Sequence, residues 1–112
     1  MSYKIKSRIW IESENSVFLG EGRIHVLKAI EETGSLSKAA KSLNLSYKKA
    51  WHLIDSVNKS AKKPVTINSV GGKGGGGAQL TDYGRSLIIV FDEINKNCWA
   101  FLDAQLAKMK DL

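Results

Sequence analysis

The chain has 112 residues, 43 % hydrophobic and 25 % charged, the balance of one small folded domain rather than a disordered tail or membrane protein, with little room for a second module. Net charge is +6: from Lys38 to Lys73 the basic residues Lys38, Lys41, Lys48, Lys49, Lys59, Lys62, Lys63 and Lys73 face one acid, Asp55, which fits a polyanionic partner or a solvated lysine-rich surface. The single cysteine, Cys98, excludes an internal disulfide or multi-cysteine zinc site and reads as a packing residue; no apolar run of signal-peptide or membrane-spanning length opens the chain, so a cytoplasmic location without a membrane partner is expected.

Residues 1–19 are expected to form an N-terminal β-hairpin. From Lys4 to Glu12 polarity alternates, with Ile5, Ser7, Ile9 and Ile11 on one face. Glu14-Asn15-Ser16 is turn chemistry, and Val17-Phe18-Leu19 is a short apolar return. Residues 20–63 then read as a three-helix core. Arg23 to Glu32 carries Ile24, Leu27 and Ile30 at helical spacing, widened by Val26 and Ala29, and Gly34 is a stop.

Residues 35–62 have the form of a helix-turn-helix. Ser35 or Ser37 caps a helix with Leu36, Ala39, Ala40 and Leu43 at i, i+3, i+4 and i+7, its alanines small enough to admit a close neighbour. Asn44 tolerates a left-handed turn, Leu45 tucks beneath it, and Ser46 caps the next helix. There Tyr47, Ala50, Ile54 and Val57 form an apolar stripe, with Trp51 adjoining it and read as core. Lys62, Lys63 and Pro64 end the helix.

Residues 64–80 are expected to be a two-stranded wing, Val65–Val70 and Ala78–Leu80 flanking the glycine loop Gly71–Gly77. Thr81 caps a last helix over 81–110, with Asp82 in its positive first turn. Leu87, Phe91, Ile94, Cys98 and Phe101 make one apolar stripe of it, and Trp99, Leu102, Leu106 and Met109 a second. One stripe covers the core. The other either meets a second subunit or folds back on the N-terminal hairpin; Phe91, Ile94, Cys98, Phe101, Leu102 and Leu106 are the residues expected at a dimer interface. The fold class is therefore α+β, a winged helix-turn-helix with an N-terminal hairpin and a long C-terminal helix.

A recognition helix reads DNA with its first turns, where Ser46, Tyr47, Lys48, Lys49 and His52 stand. For Tyr47, partial burial and contact with DNA, at a phosphate or a thymine methyl, remain equally open. Ser35, Ser37 and Lys38 open the helix that crosses the backbone and suit phosphate contacts; Lys41 suits longer-range attraction or plain solvation. In the glycine loop a phosphate-loop motif fails, since Gly72-Lys73 is followed by Gly74 rather than Ser or Thr. Gly72, Lys73 and Gly74 suit a wing tip whose bare backbone approaches phosphates, or else a hairpin end that touches nothing. His25 and His52 have no cysteine or acidic cluster at ligand spacing, so no catalytic residue, metal or cofactor is expected.

Gly34-Ser35-Leu36-Ser37, Ala39-Ala40, Ser46-Tyr47-Lys48, Ala50-Trp51, the run Gly71-Gly72-Lys73-Gly74-Gly75-Gly76-Gly77-Ala78, and Leu80-Thr81 with Gly84 together resemble the DNA-binding half of ModE-type molybdate-responsive regulators, whose winged helices are similar to those of LysR-type regulators. The likeness runs from about Gly20 to Phe91. It implies a homodimeric, non-enzymatic transcription regulator that binds an inverted repeat in double-stranded DNA, with the Ser46-Tyr47-Lys48 turn in the major groove and Lys73 of the wing beside it. It also implies a dimer interface built from the N-terminal strand and the last helix. The chain stops at Leu112 without an oxyanion-binding domain, so molybdate sensing is not carried over. The alternative is an adaptor whose long helix docks onto a separate effector-sensing protein while its DNA contact is weak.

Overall fold

The computed structural model describes residues 2–14, 16–69 and 77–112. Two strands open the fold, β1 (Trp10–Ser13) and β2 (Ser16–Gly20), antiparallel with Ile11 opposite Leu19 and Glu12 opposite Val17. The register shift between Ile11 and Glu12 makes Phe18 the extra residue of a bulge. Val17, Phe18 and Leu19 are all partly or wholly withdrawn from solvent as a result, whereas regular pleating turns every second side chain outward. The strand is shorter than its alternation suggests. Residues 2–9 form no ladder, yet Ile5, Ser7 and Ile9 are half-buried while Lys4, Lys6 and Arg8 are exposed.

Helix α1 (Glu21–Thr33) buries Ile24, Val26, Leu27, Ala29 and Ile30 and ends at Gly34, whose φ of 70° is the left-handed cap. Helix α2 (Leu36–Ser42) is capped by Ser35, whose Oγ accepts from the Lys38 N–H at 3.2 Å; this selects Ser35 over Ser37. Asn44 adopts φ 57°, with Leu45 N–H donating to Ala40 O at 2.9 Å and Asn44 N–H to Lys41 O at 3.2 Å. That pair of bonds is a Schellman motif, and it makes the sharp turn between the two helices. Ser46 then caps α3 (Tyr47–Ser60) by accepting from the Lys49 N–H at 3.0 Å.

Strands β3 (Thr66–Ser69) and β4 (Gly77–Leu80) pair antiparallel from Thr66 opposite Leu80 to Ser69 opposite Gly77. The hairpin is tied to the start of α2 and to α3. Ala78 N–H donates to Gly34 O at 3.0 Å, and Ser35 forms a bridge with Gly77, so β4 lies beside the entrance of α2. At the other end the Asn58 side chain accepts from the Val65 N–H at 2.7 Å and donates to Thr66 Oγ1 at 3.0 Å. Replacing Asn58 by alanine leaves the Val65 donor without its partner. The expected loss is about 1–3 kcal/mol of unfolding free energy in denaturant titration, and an unchanged midpoint would remove Asn58 from the tether.

Helix α4 (Asp82–Leu106) continues as a 3₁₀ turn, Ala107–Asp111, so the regular helix is slightly shorter than expected. Thr81 caps it, accepting from the Gly84 N–H at 3.0 Å. Ion pairs clasp its first half to α1: Lys28 to Asp92 at 2.8 Å and Arg85 to Glu31 at 2.9 Å. The hydrogen bond to Glu31, reinforced by its charge, raises the Arg85 pKa further, so that clasp stays ionic. The core lies among α1, α2, α3, β2 and the base of the wing, centred on Leu19, Val26, Leu27, Ile30, Val57 and Val65. Of α4, only Gly84 and Phe91 are buried, and the molecule measures 60 × 29 × 23 Å.

Candidate nucleic-acid interface

The outward face of α3 follows from which side is buried. Ala50, Ile54 and Val57 face inward. At 3.6 residues per turn, Lys48, His52, Asp55 and Lys59 consequently line the opposite side, spaced i, i+4, i+7 and i+11. Lys48, His52 and Lys59 are exposed, and the one acid of the row, Asp55, is neutralised by Lys59 at 2.9 Å. Alanines Ala39, Ala40 and Ala50 are at most 2 % exposed, so α2 and α3 meet closely and the angle between them is set by backbone proximity.

Each expected contact residue among those described lies at the surface of this end of the molecule or caps a helix there. Ser46 and Lys49 are exposed, with Ser46 Oγ already committed to the cap as an acceptor; its proton stays available for a phosphate oxygen. Ser37 and Lys38 are exposed on the first turn of α2, and Ser35, half-buried, has the same acceptor role as Ser46. Because β4 bridges to Ser35, the return strand of the wing is anchored at the start of α2. Gly72, Lys73 and Gly74 lie outside the described residues.

Tyr47, left open between burial and contact, is 57 % exposed. Trp51 corrects an expectation. It is 45 % exposed rather than core, with its ring edge-on to His52 at 5.3 Å between centroids and 79° between planes. The reason is angular: Trp51 stands one residue, about 100°, around the helix from Ala50. That places it in a row with Tyr47 at i and i+4, along the edge of the apolar stripe. A tryptophan adjoining a hydrophobic stripe normally signals core, and only the helix packing shows that this one does not turn inward.

The residues expected at a dimer interface divide into three groups. Phe91 is 3 % exposed inside its own chain's core and offers no surface to a second one, which corrects its assignment. Cys98 is half-buried, 3.8 Å from Ser7 Oγ, and Leu106 lines a cleft with Tyr3, Ile5 and Trp99; Leu102 is also half-buried. That side of α4 carries the N-terminal segment, which accounts for the half-burial of residues 5, 7 and 9. Ile94 at 45 % and Phe101 at 63 % exposure remain open to solvent, with Ile89 and Val90 also exposed at 64 % and 52 %.

Among the described residues no group of three or more His, Cys, Asp and Glu could hold a metal ion. No helix among them is long and apolar enough to cross a membrane.

Comparison with known proteins agrees with this architecture. The crystal structure of a CbnR DNA-binding domain with DNA superposes with a TM-score of 0.60 over 79 % of this chain and 95 % of that one, at 18 % identity, a likeness of fold. The molybdenum transport protein ModE of Azotobacter vinelandii is 36 % identical over 106 residues, covering 95 % of this chain and 39 % of that protein. The DNA-binding transcriptional dual regulator ModE of Escherichia coli K12 is 40 % identical over 82 residues, 73 % of this chain and 31 % of its own length. The chain thus spans well under half the length of these curated relatives. Residues 22–85, from α1 to the first turn of α4, match the model of the bacterial regulatory helix-turn-helix proteins of the lysR family, and to that family the chain belongs.

Proposed function

We propose that this chain is the DNA-binding part of a transcription regulator, which inserts α3 into the major groove and binds an inverted repeat as a homodimer. The observation that carries the reading is the outward face of α3. It carries Lys48, His52 and Lys59 exposed, with Tyr47 and Trp51 at its edge, while Ala50, Ile54 and Val57 on the reverse face are buried in the core. Lys48 and His52 meet base edges, Lys49 and the caps Ser35 and Ser46 meet phosphates, and Ser37 and Lys38 hold the backbone across α2. The wing residues Gly72, Lys73 and Gly74 follow the adjacent phosphates. The unpartnered apolar face of α4 joins the two subunits. The relatives' names point the same way, since one of them is called a DNA-binding regulator.

Selection of bound sequences from a random pool of duplexes, followed by footprinting, tests this reading directly. A two-fold repeated motif is expected; retention of DNA without any preferred sequence would sink it. The lysines divide by role. Lys38→Ala and Lys73→Ala are each expected to weaken binding alike at all sequences, and to reduce the slope of log affinity against log salt by about one unit. Lys48→Ala is instead expected to relax preference at one base pair, by roughly 1–3 kcal/mol. If Lys48→Ala leaves selectivity intact while Lys73→Ala abolishes it, the reading element is not α3.

A further inference from the structure

An exposed tryptophan on a DNA-facing helix needs its own account, because lysines and hydroxyls suffice for phosphates. Trp51 stands at the fifth position of α3 and Tyr47 at the first, so their rings share one row at i and i+4. Both are about half exposed, at 45 % and 57 %. The Trp51 ring is held edge-on against His52 at 5.3 Å. Beside them on α3 Lys48 and His52 are exposed, and Asp55, one turn on from Trp51, is paired with Lys59 at 2.9 Å.

An apolar protein partner covering this row would have to bury Lys48 beside it, stripping its hydration without offering opposite charge. The major groove presents the opposite arrangement. Its floor offers hydrogen-bond acceptors to Lys48 and, as its chief apolar group, the C5 methyl of thymine. Resting on the proposal that α3 enters that groove, we propose that Trp51, extended by Tyr47, is a specificity-determining residue that reads thymine methyl groups. Lys48 and His52 then supply the polar half of the code and the aromatic row the apolar half. Half-sites contain at least one thymine whose methyl packs on the Trp51 ring.

Deoxyuridine in place of thymidine removes that methyl and leaves base pairing unchanged, so the test needs no mutant to begin with. Duplexes carrying the motif selected by the unmodified protein are made with each thymine in turn replaced by deoxyuridine, and affinity is read by fluorescence anisotropy. At one position in each half-site the substitution is expected to weaken binding about fourfold, the value of burying one methyl-sized group. Trp51→Ala, on a surface position and checked for an unchanged melting temperature, is expected to bind thymine and uracil duplexes equally at that position. Trp51→Phe is expected to restore part of the difference. Uniform indifference of the unmodified protein to uracil overturns the inference while leaving the DNA-binding reading intact. So does a Trp51→Ala variant that still discriminates as the original does. Failure to select any motif overturns both.

Discussion

Gly84→Ala is expected to lower the melting temperature by roughly 10–20 °C, although alanine is the better helix former. Gly84 sits in the first turn of α4, and a Cβ there would collide with the backbone carbonyl oxygen of Val65 and press on the Val65 side chain. The same carbonyl accepts from the Thr81 N–H at 3.0 Å, while the Thr81 hydroxyl donates to Pro64 O at 2.7 Å. The start of α4 is thus held against the start of the wing, with no side chain between. Pushing it away by a methyl group overpacks a buried contact, which costs about 1–3 kcal/mol, and loosens the Thr81 bond, which costs about 1–3 more. The intrinsic helix gain of replacing Gly by Ala, about 1 kcal/mol, offsets only part of that. For a domain of this size each kcal/mol moves the midpoint by roughly 4–8 °C. The sign is the test: a melting temperature equal to or above the original, read by circular dichroism, would show that the close approach is not needed.

That contact also illustrates what could be read from the amino-acid sequence and what could not. The helix caps were legible because each is local: Ser35, Ser46 and Thr81 accept from the N–H three residues on, and Gly34 and Asn44 take the left-handed conformation. Such chemistry lies within a few residues and leaves a signature in residue type and spacing. The tethers of the wing left none. Asn58 reaches Val65 and Thr66 across the end of α3, and Gly34 pairs with Ala78 far along the chain. An asparagine in a helix and an alanine in a strand do not announce partners that only the fold brings near. The bulge at Phe18 was hidden for the same reason, since the pairing of β1 with β2 defines it.

On α3 the limit was angular. Tyr47, Ala50, Trp51, Ile54 and Val57 all match a helical apolar pattern, but the core beneath α3 is narrow and accepts only Ala50, Ile54 and Val57 fully. A periodic pattern gives the direction of the buried face, whereas its width depends on neighbours. The aromatic pair at the edge was therefore left exposed, beside the lysines that composition had already marked as the basic surface. On α4 the two apolar stripes were legible, but spacing left the second one open between another subunit and the N-terminal hairpin. The Trp99 and Leu106 side lies against the N-terminal segment, and the Leu87 and Phe91 side covers the core only through its first half.

What remains uncovered on α4 leads to the second large effect. The helix is 25 residues long, about 37 Å at ~1.5 Å per residue. Its buried anchors end at Phe91, yet Ile94 and Phe101 continue the same stripe at 45 % and 63 % exposure. Single exposed apolar residues are ordinary, but a row of them along a projecting helix is the mark of an association surface. If two copies join there, each presents one α3, and the second half-site is bound at high effective concentration. Affinity for the whole repeat then exceeds that of one domain by a factor of roughly 100 or more. The double substitution Ile94→Glu with Phe101→Glu places four carboxylates on the joined surface and leaves each domain's own core untouched. It is expected to convert the protein to monomers in sedimentation and to reduce affinity for the inverted repeat by about a hundredfold, while affinity for an isolated half-site stays within about twofold. A variant that still sediments as a dimer would move the interface elsewhere. Equal losses on the repeat and the half-site would mean that the substitutions damaged the domain rather than its pairing.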